Sequence, residues 1–510
     1  MSRPRRLPLA LAMPAAVAAA VSLAPVWYLV DRTLSSGLGH FVDEVWQRRT
    51  LELVLRSSGL TLAVTAACVV IGTLAAWLVV RTDLPGRRVW RVVLLLPLAV
   101  PSYLSAFAWV SWRPDLAGFW GAALVLTCTS YPYVMLPVMA ALARLDPAHD
   151  DVARSMGSGL GAVLRRIHLP GVRTAVAAGA LLVGLYVLSD FGAVAAMRYE
   201  VFTFVVYGAY RAGFDPTRAA ILATILVAAA SVLVMAESRA RGRASARLGS
   251  GAPRAARPLP LGRLTPFALS GCAVVTALAV GFPLWRIVVW MTRIEAVDTS
   301  IADVVGPLLG TVRLAALAAL ATTALAIPLG ISVARYPSLL TRSLERSAYV
   351  AHALPGIVIA ISMVFVGVKI LRPWYLELPL LVLAYVVLLL PLAVGSVRSS
   401  VEQSPARLEE TARSLGESPL GVIRRITAPL AIPGIASGAT LVMLTAMKEL
   451  PVTLILRPAG TDTLATRLWN FTSVSDYGDA APYAAAIVVF AAIPTALLSL
   501  SEAGRSGDRR

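Results

Sequence analysis

The chain has 510 residues, of which 58% are hydrophobic and only 15% charged, with a mean hydropathy of +0.75. A soluble domain carries about 25% charged residues, so this composition excludes an ordinary globular protein, a disordered chain and a collagen-like repeat. Cys68, Cys128 and Cys272 all lie inside apolar runs, which excludes a disulfide scaffold, and the net charge of +18 is spread between apolar segments rather than among exposed aromatics, which speaks against nucleic acid.

Apolar runs follow one another near 7–30, 57–80, 92–112, 117–142, 174–196, 216–236, 264–290, 310–333, 347–368, 376–396, 434–456 and 480–501. A span consumes about 20 apolar residues, so twelve spans use about half the chain. Each must be helical, because lipid offers no partner to an unpaired backbone group. The expected fold is an all-α polytopic membrane protein with twelve transmembrane helices. The first run follows Arg3, Arg5 and Arg6, as the core of a signal peptide would. It is longer than such a core and is read as a retained helix. With the N-terminus in the cytoplasm, the excess of basic residues falls on the cytoplasmic side, as the positive-inside rule requires. Both termini are then cytoplasmic. The Arg-, Pro- and Gly-rich stretch 237–263 reads as a basic cytoplasmic linker lying against anionic membrane lipid.

That linker separates two similar halves. Asp151-Val152-Ala153-Arg154-Ser155-Met156-Gly157, followed by Arg165-Arg166-Ile167-His168-Leu169-Pro170, returns 259 residues later. The second copy reads Glu410-Thr411-Ala412-Arg413-Ser414-Leu415-Gly416, then Arg424-Arg425-Ile426-Thr427-Ala428-Pro429. Pro132 and Gly179 match Pro391 and Gly438 at the same offset, while Arg81 and Pro101 match Arg335 and Pro355 at an offset of 254. Six spans per half make the copies parallel, so a pseudo-twofold axis along the membrane normal is expected, with a passage at their junction.

Both repeated loops fall on the cytoplasmic side between the fourth and fifth span of their half, and both are long for a connection. Each reads as a short helix, a Gly turn, a second short helix and a Pro at the start of the next span. Asp146, Asp150 and Asp151 in one loop, and Glu402, Glu409 and Glu410 in the other, place acids where a helix N-terminus favours them. At these residues the chain resembles type I ABC-transporter permeases. The doubled acid-x-Ala-x-x-x-Gly…Ile-x-x-Pro pattern is similar to their cytoplasmic "EAA" loop. The resemblance implies that each loop docks into a cleft of a cytoplasmic ABC ATPase subunit, two copies in all, and relays its closure to the membrane helices. The residues implied in coupling are Asp151, Ala153, Gly157, Arg165, Arg166 and Pro170, with Glu410, Ala412, Gly416, Arg424, Arg425 and Pro429. The departures are Asp151 for Glu, and Val152 and Thr411 for the middle Ala.

A finer resemblance follows each loop. Leu188-Ser189-Asp190-Phe191-Gly192-Ala193 and Lys448-Glu449-Leu450-Pro451-Val452-Thr453-Leu454 are similar to segments of the fused twelve-span ferric-iron permeases. An extracytoplasmic solute-binding protein is implied as a further partner, and the bacterial plasma (inner) membrane as the location. Asp190 aligns with Glu449, and ionisable groups within a span face a cavity or a partner. Asp190, Lys448 and Glu449 are therefore candidates for the substrate pathway, against the bland alternative of snorkelling or structural pairing.

Other signals carry less. Arg81-Thr82-Asp83-Leu84-Pro85-Gly86-Arg87-Arg88 resembles a major-facilitator signature, but it reads more simply as a charged Pro-Gly turn, and Arg335-Tyr336-Pro337 keeps little of it. Lys369 and Lys448, the two lysines, lack the Gly-Lys-Ser/Thr context of a phosphate-binding loop. His40, His149, His168 and His352 form no ligand spacing, so neither a metal site nor a cofactor is expected. The expected organisation is an N-terminal helix and outer loop (1–54), a first transmembrane type-1 domain (55–236), the linker (237–263), a seventh span and outer loop (264–307), a second type-1 domain (308–501) and a tail (502–510). The expected function is a non-enzymatic permease subunit of an ATP-driven importer for ferric iron. The alternatives are a permease for thiamine, phosphonate or another small solute, and a twelve-span secondary transporter.

Overall fold

The computed structural model describes residues 7–211, 213, 215–245, 258–292 and 301–491. The predicted tail, the end of the twelfth run (492–501) and the middle of the predicted linker (246–257) lie outside the described residues. Among the described residues all regular secondary structure is helical, apart from one isolated bridge between Thr82 and Leu259. Nine described helices are long and apolar enough to cross a membrane, and Arg87–Ala99 with Ser102–Trp112 makes a tenth that is bent by 86°. Gly356–Lys369 and Tyr477–Ala491 are shorter apolar helices. Each of the twelve predicted runs falls on one of these, the last only as far as Ala491.

Prolines mark two kinds of departure of these helices from straight rods. Pro101 and Pro355 hold their predecessors in extended backbone, Val100 at φ −90°, ψ 120° and Leu354 at φ −89°, ψ 122°. A half-helix starts directly after each proline, at Ser102 and at Gly356. The third span of each half is thus broken where a continuous run was expected. A second device recurs three times. π-helical turns at Leu164–His168, Ala277–Gly281 and Ile423–Thr427 each end two residues before a proline, namely Pro170, Pro283 and Pro429. A proline ring collides with the carbonyl four residues back and cannot donate to it; one extra residue in the turn relieves that collision. The second short helix of each loop is therefore not separate. It runs into the fifth span as one helix, Leu160–Ser189 or Pro419–Met447.

The chain forms two compact units. One takes the described residues of Met1–Glu44, Val206–Val227 and Asp298–Asn470. Its centre is the mutual packing of Ile301–Arg335, Leu378–Gln403 and Ala428–Met447. The first span, Leu9–Ser35, lies against Ile301–Arg335, with the Trp27 and Tyr28 rings 5.6 and 4.9 Å from Phe365. The other unit takes the described residues of Val45–Val205, Ala228–Val297 and Phe471–Arg510. Arg48–Arg81, Pro132–Arg144 and Leu169–Ser189 pack together at its centre. There the seventh span stacks Phe282 on Trp109 at 3.8 Å, while Arg286 and Trp290 donate to the Ser111 hydroxyl at 3.1 Å. Each additional span therefore packs with helices of the opposite half of the sequence.

Candidate functional site

The two repeated loops are built alike from their sequences upward. In the first, the Asp146 carboxylate accepts the Ala148 N–H at 3.0 Å and starts the helix Ala148–Ser155. That helix ends on Gly157 at φ 81°, with the Ser158 N–H donating to the Ala153 carbonyl at 2.9 Å. In the second, the helix Ala406–Ser414 ends on Gly416 at φ 89°. The Glu417 and Gly416 N–H groups donate to the Ala412 and Arg413 carbonyls at 3.1 and 3.0 Å. These bonds are the Schellman closure, which needs a left-handed residue just past the helix. A Cβ at either glycine would meet nothing within 4 Å, so the glycines are required by backbone conformation and not by lack of room.

Around those turns the predicted residues divide by exposure. Ala153 and Ala412 are buried, whereas Asp151 and Glu410 are exposed. Arg165, Arg166, Arg424 and Arg425 stand exposed on the π-helical turns, and Arg425 pairs with Glu417. Pro170 and Pro429 are exposed near the first turn of the helix leading into the fifth span. Met156 and Leu415, which the motif spacing does not single out, sit just before the two glycines and are 74% and 81% exposed. An apolar residue beside the Gly in both copies was the available signal. Each short helix thus offers an acid, an apolar knob and nearby arginines on its outer surface.

A buried ion pair holds each short helix from behind. Arg81, the last residue of Arg48–Arg81, reaches Asp150 at 3.2 Å and the Leu142 and Leu145 carbonyls at 2.7 Å. Asp150 also bonds His168 Nε2 at 2.9 Å, and Trp77 Nε1–H donates to His168 Nδ1 at 2.9 Å. Indole only donates, so Nδ1 accepts and the imidazole is neutral, with its proton on Nε2 facing Asp150. In the second half Arg335, the last residue of Ile301–Arg335, reaches Glu409 at 2.7 Å and the Ser404 carbonyl at 2.9 Å. The Thr427 hydroxyl donates to Glu409 at 3.0 Å and takes the place of His168. The anchoring acids are therefore Asp150 and Glu409, each one residue before the motif acid. Beside the first pair, the end of the predicted linker is fastened down. Leu259 N–H donates to the Arg81 carbonyl at 2.8 Å, and Leu261 N–H donates to the Asp83 carboxylate at 2.8 Å.

The three candidates inside the fifth spans lie at breaks in the helix. Leu169–Ser189 stops before Asp190, whose carboxylate accepts the Ala193 N–H at 2.8 Å and the Ser102 hydroxyl at 2.5 Å. Ala428–Met447 stops before Lys448, and Glu449 accepts the Val452 and Thr453 N–H groups at 2.9 and 3.1 Å. Each acid thus caps the short helix beyond the break, Gly192–Ala196 or Pro451–Leu456. Each also faces the first residue of the third-span half-helix. Ser102 donates to Asp190, and a Cβ on Gly356 would lie 3.3 Å from the Glu449 carboxylate. Two helix N-termini meet one carboxylate in each half, which suits the positive ends of their dipoles. Among the described residues, no three His, Cys, Asp or Glu side chains gather as a metal site would require.

Long apolar helices carrying two copies of one exposed, Gly-terminated loop define a polytopic membrane permease of internally repeated construction. The chain belongs to the family described as binding-protein-dependent transport system inner membrane component, which matches it twice, over residues 68–238 and 326–502. It is 31% identical over 480 residues to the Fe(3+)-transport system permease protein FbpB 2 of Haemophilus influenzae, covering 93% of this chain and 94% of that relative. The sulfate transport system permease protein CysT of Salmonella typhimurium is 27% identical over 200 residues, 35% of this chain and 72% of its own. CysW of Escherichia coli, also a sulfate permease, is 24% identical over 200 residues, 36% of this chain and 69% of its own. The chain is thus the inner-membrane transport subunit of an ABC system, which works with a binding protein and an ATPase.

Proposed function

We propose that the chain is the permease of an ATP-driven importer for ferric iron, with both termini and both repeated loops in the cytoplasm. The observation that carries this is the pair of short exposed helices, 259 residues apart and closed on Gly157 and Gly416 by the same backbone turn. The assignment of iron is supported by near full-length similarity to a relative named for Fe(3+) transport. Two ATPase copies, one on each loop (146–170 and 405–429), close on ATP and tilt the helices toward an outward-open state. A loaded binding protein then releases its cargo, and hydrolysis restores the inward state. ATP shifts this equilibrium only through contacts that differ between the two states. The outer faces of the short helices, with Asp151, Met156, Glu410 and Leu415, are the proposed source of those contacts. In each half the broken third and fifth spans are the proposed gating elements, hinging at Asp190 in the first half and at Lys448 and Glu449 in the second. No phosphate-binding loop occurs in the sequence, so hydrolysis is assigned to the partner.

The test is uptake by proteoliposomes holding the permease, its ATPase and its binding protein. Radiolabelled ferric iron should enter only with ATP, and thiamine or sulfate should not. Uptake driven by an ion gradient without the ATPase would overturn the class, and uptake of thiamine in place of iron would overturn the cargo.

A further inference from the structure

We propose that Arg81 and Arg335 are positioning residues that carry the movement of each docking helix into the second span of its half, by way of the buried acids Asp150 and Glu409. This rests on the reading of the repeated loops as ATPase docking sites. The short helices are joined to the rest of the chain by connectors rich in turn formers, Leu145-Asp146-Pro147 and Met156-Gly157-Ser158-Gly159 in one half, Ser404-Pro405 and Leu415-Gly416-Glu417-Ser418 in the other. Backbone continuity alone would let a short helix pivot about these connectors when pulled. The ion pair removes that freedom. In the first half it joins the short helix to Arg48–Arg81 through Arg81, to the end of Pro132–Arg144 through the Leu142 and Leu145 carbonyls, and to Leu164–His168 through His168. In the second half the same four elements meet, through Arg335, the Ser404 carbonyl, Glu409 and Thr427.

Both pairs are shut away from water. The side chains of Arg81 and Asp150 are 2% and 6% exposed, those of Arg335 and Glu409 11% and 2%. A charge pair in such surroundings is screened far less than an exposed one, so the linkage behaves as a strut and not as a surface contact. The construction is repeated in both halves although the residues that finish it differ, Trp77 and His168 in one, Thr427 and Arg413 in the other. Pulling on the outer face of the docking helix therefore moves the second span together with the fifth, and the force enters each half at two points.

The experiment uses the full-length permease reconstituted with its ATPase and binding protein, and reads radiolabelled iron moved per ATP hydrolysed. Asp150→Asn and Glu409→Gln leave the outward face of each docking helix unchanged. The ATPase should still co-purify and still hydrolyse ATP, while iron moved per ATP falls about tenfold, the scale of a coupling free energy between sites. Arg81→Met with Asp150→Leu removes the pair without stranding a buried charge and tolerates folding better; the same fall is expected. Any folded variant that moves iron at the wild-type ratio overturns the proposal. So does a variant that only lowers the yield of folded protein, with the ratio unchanged in what remains, because that marks a purely structural pair. A wild-type permease that binds no ATPase sinks the docking reading itself, whereas a coupled wild type beside equally coupled variants sinks this inference alone.

Discussion

Replacing both turn glycines with aspartate, Gly157→Asp with Gly416→Asp, separates what the permease needs from what its partner needs. Within the chain the cost is small and calculable. A Cβ at either site meets nothing within 4 Å, so the only internal charge is left-handed backbone at φ 81° and 89°. For an L-residue that costs about 1–2 kcal/mol, and less for Asp, which visits this region more readily than most. The double variant should therefore insert and purify with a stability close to wild type. Its partner surface is another matter, because each new carboxylate stands beside Met156 or Leu415 on the open side of the loop. Co-purification of the ATPase on a tagged permease in lipid nanodiscs should fall by at least about a hundredfold, which corresponds to 1.4 kcal/mol lost per loop. Gly157→Ala with Gly416→Ala, which adds strain without charge, should fall about tenfold. A double aspartate permease that keeps both its ATPase and its uptake would refute the docking role of these turns.

Asp190→Ala removes the acceptor for Ala193 N–H and for the Ser102 hydroxyl, and should cost about 1–2 kcal/mol of stability, read as a lower unfolding midpoint in detergent. Asp190→Asn keeps an acceptor and should recover most of it; equal losses would argue against a capping role. Pro170→Ala lifts the need for the π-helical turn at Leu164–His168. A regular helix in its place would turn the short helix Ala148–Ser155 by about 100° relative to the fifth span, so uptake should collapse at normal yield, and unchanged uptake would count against the rigid connection. Asp83→Ala takes away the acceptor of Leu261 N–H. Amide exchange at 259–261 should then quicken about fivefold, the effect of losing roughly 1 kcal/mol.

The repeated loops were legible because backbone chemistry forces their spelling: only glycine closes the helix at Gly157 and Gly416 without strain, and the proline two residues beyond each π-helical turn announces its distortion. The buried pairs were half legible. Each loop carries two consecutive acids, and the motif drew attention to Asp151 and Glu410, which face outward. The inward acid could have been chosen by helical phase, since Asp150 lies three residues before the buried Ala153 and Glu409 three before the buried Ala412, on the same face. Their partners were hidden by a change of register, because Arg81 and Arg335 repeat at 254 and the acids at 259. The breaks at Pro101 and Pro355 follow from the restriction proline places on its predecessor, yet strong hydropathy across them reads as unbroken spans. The packing of the first and seventh spans with opposite halves had no signal at all. Hydropathy reports depth in the bilayer and says nothing about which neighbour a span meets.

The most direct measurement is thiol cross-linking from Met156→Cys and Leu415→Cys, singly introduced, in right-side-out and inverted membrane vesicles. Cys68, Cys128 and Cys272 are buried, so background labelling is low. Both new thiols should react with a membrane-impermeant reagent only in inverted vesicles, and each should cross-link to the ATPase subunit. Labelling from the outer side, or a cross-link from one loop alone, would contradict the account of two equivalent cytoplasmic docking helices.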